Sequence, residues 1–126
     1  MTFKSFFTLT VLTVSALIYN STNAATQELS DQTFNNFINS STVIVKFSAP
    51  WCGPCKQMAP MFEEVSNQYP NIKFGKIDTD RCSQTANRFN VRSVPTTIFF
   101  KNGKEIKRIN GAPSRPDFIN TIKSIS

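Results

Sequence analysis

The 126-residue sequence contains no histidine. That absence removes the side chain most often used as a general base near neutral pH and the commonest nitrogen ligand for metals. A hydrolytic triad is therefore hard to build. Cysteine is scarce as well, at three residues, whereas a closed zinc site takes four ligands. Neither a structural metal nor any other cofactor is expected. Charge is missing from the front of the chain, where Lys4 is the only charged side chain before Glu28. The net charge is +6, but Lys and Arg are scattered and no stripe of aromatic residues interleaves them, so nucleic acid is not an expected partner. No repeat, linker or low-complexity tract divides the chain, and its length and apolar content suit one domain with one core.

The uncharged front has the build of an export signal. Lys4 is followed by an almost unbroken apolar or hydroxyl run from Phe6 to Tyr19, and then by small polar residues up to Ala25. Thr22-Asn23-Ala24 fits a small-residue cleavage site, which assigns residues 1–24 to a signal peptide and residues 25–126 to the mature domain. An uncleaved anchor is the alternative, but the run is shorter than the roughly 20 apolar residues of a membrane span. Without Lys4 the charge becomes +5. The chain ends Lys123-Ser-Ile-Ser126, which is no Lys-Asp-Glu-Leu type retention signal. A periplasmic or secreted location is expected, with no stable membrane association after cleavage.

Most of the chemistry lies in Trp51-Cys52-Gly53-Pro54-Cys55-Lys56. The preceding run from Thr42 to Ser48 is β-branched and apolar enough for an interior strand. After it, Met58, Met61, Phe62, Val65 and Tyr69 recur at helical spacing, so a helix begins near Cys52. Its first turn carries unpaired N–H groups and the positive end of the dipole, which favour thiolate at Cys52 and make it the attacking sulfur. Cys55 shares a helical face with it, at a Cβ separation of roughly 5–6 Å against the roughly 3.5–4.5 Å of a disulfide. A small adjustment joins them, and Cys55 is the resolving sulfur, one turn deeper. Pro54 suits an early helical position that needs no N–H donor, and Gly53 leaves room for a partner's backbone.

Further elements follow from periodicity and turn chemistry. Ser30 is expected to cap a short helix carrying Phe34, Phe37 and Ile38. Ile72 to Ile77 reads as a strand and Ser83 to Phe89 as a short helix. Thr96 to Phe100 and Glu105 to Ile109 flank Asn102-Gly103, a two-residue hairpin signal. Ser114-Arg-Pro-Asp117 opens a last helix with an apolar stripe of Phe118, Ile119, Ile122 and Ile125. The many phenylalanines fit core packing better than ligand stacking.

From about Leu29 to the C-terminus the sequence resembles the thioredoxin family, through Trp51 to Lys56, Val94-Pro95-Thr96, Lys101-Asn-Gly103 and Gly111 in that order and spacing. The resemblance implies an α/β thioredoxin fold, a single domain with a central mixed sheet flanked by helices. It also implies thiol–disulfide exchange with protein substrates through a transient mixed disulfide. Cys52 maps to the nucleophile, Cys55 to the resolving cysteine, and Pro95 to a cis-proline facing the dithiol, although X–Pro bonds in folded proteins are mostly trans. Val94, Pro95, Thr96 and Gly111 are the candidate substrate-binding residues, with an extended client segment pairing beside Val94. Trp51, Gly53, Pro54, Lys46 and Lys76 are candidate supports.

Lys46 departs from the family, which commonly has a buried aspartate there, and Lys76 matches the usual lysine partner of that aspartate. Two cations without their acid repel, leaving Lys46 to lose its proton when buried, to snorkel, or to find another anion. A cation near the sulfurs favours thiolate, implying a somewhat more oxidising couple and less efficient deprotonation of Cys55. The alternative is a lysine that points outward and matters little. Cys82 is left over, either a buried inert thiol or one half of an intermolecular or regulatory disulfide. The reading is a monomeric oxidoreductase that reduces protein disulfides with electrons from an unidentified reductase or membrane thiol carrier. Its alternatives are an exported oxidant or isomerase and a non-catalytic binding module on the same fold.

Overall fold

A strand built around Val43, Ile44 and Val45 is apolar on both faces, so both faces need cover. The computed structural model, which describes residues 25–126, supplies it. The expected signal peptide, residues 1–24, lies outside the described residues. Five strands, β1 (Thr26–Leu29), β2 (Thr42–Ser48), β3 (Lys73–Asp78), β4 (Thr96–Lys101) and β5 (Lys104–Asn110), form one sheet in the order β1-β3-β2-β4-β5. β1 and β2 run parallel to β3, while β4 is antiparallel to β2 and β5 to β4. Four helices complete the unit: α1 (Phe34–Ile38), α2 (Gly53–Gln68), α3 (Ser83–Arg88) and α4 (Arg115–Ile125). The architecture is the single-domain, helix-flanked mixed sheet of a thioredoxin fold.

Strand alternation sorts the core into two layers. Val43, Val45, Phe47, Ile98 and Phe100 face Phe34, Phe37 and Ile38 of α1. Ile44, Phe74 and Phe99 face Met58, Phe62 and Val65 of α2 and Phe118 and Ile122 of α4. Aromatic edges knit each layer, with Phe34 against Phe100 at 5.8 Å and Phe62 against Phe74 at 5.5 Å between ring centroids. The phenylalanines therefore serve packing.

Local signals explain most element ends. Ser114 Oγ accepts from the Asp117 N–H at 3.3 Å and caps α4. Asn102 and Gly103 have φ of 51° and 81°, the positive values that a tight hairpin between β4 and β5 requires. Ser30 departs from expectation. Thr33, not Ser30, is the N-cap residue of α1, and Ser30 instead closes a preceding turn in which its N–H donates to Thr33 Oγ1 at 2.9 Å and its own Oγ accepts from the Thr33 N–H at 3.2 Å. The third strand begins at Lys73, and Ile72 packs beside the α2/α4 layer just ahead of it. β1 has no counterpart in the sequence reading.

Gly75 of β3 is where the first layer is tightest. A Cβ there would stand 2.7 Å from Leu29 Cδ1 and 2.8 Å from Phe37 Cε1, and both neighbours are buried. Lys46, in the middle of β2, is 4% exposed. Its position opposes Lys76 on β3 and Thr97 on β4, and its Nζ lies 5.0 Å from the Phe62 ring centroid. Burial lowers its pKa and the charge of Lys76 lowers it further, against smaller opposing effects of Glu63 and Glu28.

Two stability predictions follow from these sites. Gly75→Ala should cost about 1–3 kcal/mol by overpacking, read as a lower denaturant midpoint at unchanged m-value; an unchanged midpoint would contradict the packing. For Lys46 the folded pKa lies below the unfolded one, so between the two the unfolded chain binds more protons and stability rises with pH. Replacing it with an uncharged chain of similar length, Lys46→Met, should stabilise the protein by about 1–2 kcal/mol at pH 7. That gain should shrink as pH climbs towards the unfolded lysine pKa of about 10.4. Denaturant melts of both proteins at pH 7 and pH 10 check the sign, and a pH-independent difference would refute it.

Candidate active site

β2 ends at Ser48, and Ala49 to Trp51 turn the chain into α2. Cys52 is the N-cap residue of that helix, with extended φ and ψ of −85° and 110°, and Gly53 and Pro54 occupy the first two helical positions. Pro54 contributes no N–H where none would find an intrahelical acceptor. The Cys55 N–H donates to Cys52 Sγ at 3.2 Å, so the helix terminus points a backbone dipole at this sulfur. Cys52 and Cys55 are joined by a disulfide with a Cα–Cα separation of 5.3 Å. Exposure does not separate the two, since each is 4% exposed. Their surroundings do: Cys52 Sγ lies 3.6 Å from the Val94 carbonyl oxygen, whereas Cys55 faces a cleft on the other side of the helix start.

The Val94–Pro95 bond is cis. Val94 packs against Ala49, Cys52 and Cys55. Pro95 is buried, and its carbonyl accepts from the Gly111 N–H at 2.8 Å, across the start of the β4–β5 pair. Gly111 has φ of 87°, a left-handed conformation that suits glycine. Thr96 Oγ1 donates to the Ser93 carbonyl at 2.7 Å and pins the same loop. The substrate-side candidates Val94, Pro95, Thr96 and Gly111 thus form one linked strip, with Val94 beside the dithiol.

Trp51 is the most exposed large apolar residue among those described, at 70%, and its Nε1–H donates to Asp80 Oδ2 at 2.9 Å. Asp80 was not among the sequence candidates; its place in Asp78-Thr79-Asp80, directly after an interior strand, was the available signal. A Cβ on Gly53 would meet nothing within 4 Å, so the space beside Gly53 at the helix start is open.

The cleft on the Cys55 side has a volume of about 260 Å³, and Lys46, Cys55, Lys56, Lys76, Glu28 and Asp78 are among its lining residues. Lys76 has acidic partners there, Glu63 at 3.6 Å and Glu28 at 4.0 Å. Lys46 has none: among the described residues no carboxylate lies within 4.0 Å of its Nζ. Of the three outcomes open to Lys46, burial with a lowered pKa is the one the structure holds. Cys82 lies apart, buried, with its Sγ 3.8 Å from the Leu29 carbonyl. Burial, and then the charge of Asp31, push its pKa up, which opposes reactivity.

Comparison with known proteins agrees with this geometry. The family model for thioredoxin matches residues 25–124. Thioredoxin of Synechocystis sp. is 37% identical over 103 residues, covering 79% of this chain and 96% of that protein. Thioredoxin C-3 of Corynebacterium nephridii is 46% identical over 87 residues, which are 68% of this chain and 60% of its own length. The structure of Malassezia sympodialis thioredoxin superposes with a TM-score of 0.73 at 34% identity, over 79% of this chain and 89% of that one. With a Cys-Gly-Pro-Cys pair closed at the start of α2, the chain belongs to the thioredoxin family and is a thiol–disulfide oxidoreductase acting on protein disulfides.

Proposed function

We propose that the chain works as an exported reductase of protein disulfides. Cys52 is the nucleophile and Cys55 the resolving cysteine. The observation that supports these roles best is the Cys55 N–H directed at Cys52 Sγ at 3.2 Å. Once the pair is reduced, that donor stabilises negative charge on Cys52. The Cys52 thiolate attacks a client disulfide, a client–Cys52 disulfide forms, and one client sulfur leaves with the bonding pair. Cys55 then loses its proton and attacks Cys52, expelling the second client sulfur and closing the intramolecular disulfide. Two electrons pass to the client with the one proton that Cys55 loses, and the client dithiol takes its second proton from outside the sulfur pair.

Val94, Pro95, Thr96 and Gly111 hold the client strand. The proximity of the Val94 carbonyl to Cys52 Sγ supports this, because an extended segment seated there brings its cystine within reach of the nucleophile. Trp51, fixed by Asp80, flanks the same opening, and Gly53 and Pro54 keep the helix start low and open. Lys46 and Lys76 act from the Cys55 side.

The working unit is a monomer comprising residues 25–126, released after cleavage of residues 1–24 into the periplasm or the medium. The apolar front with Thr22-Asn23-Ala24 supports the cleavage. Family members are re-reduced by a reductase; here the donor is a reductase or a thiol carrier in the membrane that must deliver electrons to an exported domain.

Cys55→Ser removes the resolving attack, so this variant should accumulate covalent client complexes that dithiothreitol releases, while the intact protein reduces insulin. Absence of both would overturn the assignment of the two cysteines. Direction and location are read together by rapid acid quenching and alkylation of living cells, followed by mass spectrometry of the intact protein. A mature N-terminus at Ala25 with Cys52 and Cys55 mostly alkylated is the expected result. A mostly oxidised pair would favour the oxidant or isomerase role, and an intact Met1 terminus would refute cleavage.

A further inference from the structure

The cleft beside Cys55 contains a buried lysine amine with no carboxylate at ion-pair distance. Lys46 is 4% exposed and has no carboxylate within 4.0 Å among the described residues. It shares its cleft of about 260 Å³ with Cys55. Directly opposite Lys46 across the β2–β4 ladder stands Thr97, a fully buried residue whose Oγ1 has no hydrogen-bond partner. Side chains at directly opposed positions project from the same face of the sheet, so an unused hydroxyl flanks the amine. An amine with no carboxylate within ion-pair distance, lining the same cleft as one sulfur of the disulfide, is a site without a close counter-ion in the oxidised state. Reduction of that disulfide adds an anion, a thiolate, beside the cleft that Lys46 lines.

We propose that Lys46 is a positioning residue whose protonation is linked to the redox state, the amine taking up a proton when the disulfide is reduced and serving as counter-cation to the thiolate of the Cys52/Cys55 pair. This rests on the dithiol reading above and adds the proton inventory. A dithiol donor gives up two electrons and two protons and becomes a disulfide. The Cys52–Cys55 bond breaks, one proton stays on the sulfur pair, and the other goes to Lys46 instead of the second sulfur. In the forward reaction both return: the client disulfide takes two electrons from the sulfurs, one proton from the remaining thiol and one from the Lys46 ammonium. The charged and titratable groups around Lys46 are Cys55, Lys56 and Glu63 on α2, Lys76 and Asp78 on β3, and Glu28 on β1; β4 contributes Thr97, which does not titrate. Glu63 and Glu28 are engaged by Lys76 and Asp78 accepts from the Asp80 N–H at 2.9 Å, so a thiolate of the sulfur pair is the added anion that Lys46 can serve. Burial of the amine and the charge of Lys76 lower its pKa in the oxidised state, and a thiolate raises it again.

The coupling has a signature that a merely structural lysine lacks. With Lys46 taking the second proton, the equilibrium constant for reduction falls about a hundredfold per pH unit where the thiolate is populated, two protons for two electrons. Without it, one proton is taken up and the fall is about tenfold.

The test compares wild type, Lys46→Met and Lys46→Arg by equilibration with a dithiothreitol redox buffer from pH 6 to 9, correcting for the buffer's own protons. Thiolate absorbance near 240 nm and the Lys46 side-chain amine in NMR of wild type are followed in both redox states. Lys46→Met should disfavour reduction about tenfold at pH 7, raise the thiolate pKa by about one unit and show the shallower pH dependence. Lys46→Arg, with its permanent charge, should keep the reduced state favoured but lose the steep slope. In wild type the Lys46 amine should titrate at higher pH when reduced. Equal titration of that amine in the two states overturns the proposal, as do variants within twofold of wild type throughout. The NMR arm needs no variant to fold, and insulin reduction by wild type separates failure of this coupling from failure of the dithiol assignment.

Discussion

A single backbone hydrogen bond, Cys55 N–H to Cys52 Sγ, is the interaction on which the site depends. It exists because α2 starts at a sulfur instead of at the more usual Ser, Thr, Asp or Asn cap. A cap accepts from the first-turn N–H groups, and when the acceptor is a sulfur the same stabilisation lowers the cost of its negative charge. Under the roles proposed for the two cysteines, the element that gives shelter and activates the nucleophile is thus one helix end. The helix must start at the C-terminal end of the central strand β2, which the rest of the fold arranges. β2, buried on both faces, delivers the chain to Ser48, and Met58, Phe62 and Val65 clamp α2 onto the sheet through Phe74 and Phe99.

The second half of the site comes from the other end of the sequence. β4 lies antiparallel to β2, so the start of β4 adjoins the end of β2, and the Val94 carbonyl arrives 3.6 Å from Cys52 Sγ. The bond from Gly111 to the Pro95 carbonyl and the Thr96 hydroxyl bond to Ser93 hold this strip from both sides. The Val94–Cys52 and Gly111–Pro95 contacts span connections that no local propensity encodes and that strand order does, whereas the Thr96–Ser93 bond is local. A hydrogen bond of this kind contributes about 1 kcal/mol, and the value of the strip lies in placing a carbonyl edge beside the sulfur more than in stability.

Legibility in the sequence followed the range of the interactions. The helix after Cys52, the hairpin at Asn102-Gly103 and the Ser114 cap were readable because each rests on neighbours a few residues apart. β1 was not. Its Thr26-Gln-Glu-Leu29 has buried ends and an exposed middle, so neither alternation nor an apolar run marks it, and its existence depends on pairing with β3 far along the chain. Ser30 looked like a cap because the residue type was right, but the chain used it for a turn one step earlier. Asp80 and Gly75 were silent for the same reason: one acts on Trp51 across 29 positions and the other makes room for Leu29 and Phe37. The cysteine motif and the Val94-Pro95-Thr96 strip were visible as residues, while their contact was visible only through the family resemblance.

Lys46 shows where local and global rules conflict, and conflicts of this kind concentrate at functional sites. In a strand otherwise made of valine, isoleucine and phenylalanine, a lysine opposes folding, since burial disfavours its charge and Lys76 stands at the paired position. A chain selected for stability alone would hold methionine or leucine there. Lys76 resolves its own half of the conflict by reaching Glu63 and Glu28. Lys46 has the Phe62 ring face and the more distant charges of Glu63 and Glu28, which do not offset burial and the charge of Lys76, so its charged form stays disfavoured. Under the proposed coupling, that penalty persists in the oxidised protein and diminishes when a sulfur anion forms beside the same cleft. Destabilisation of one redox state relative to the other is itself a change in reducing power, so a residue that weakens the fold in this position would tune the chemistry by the same interaction.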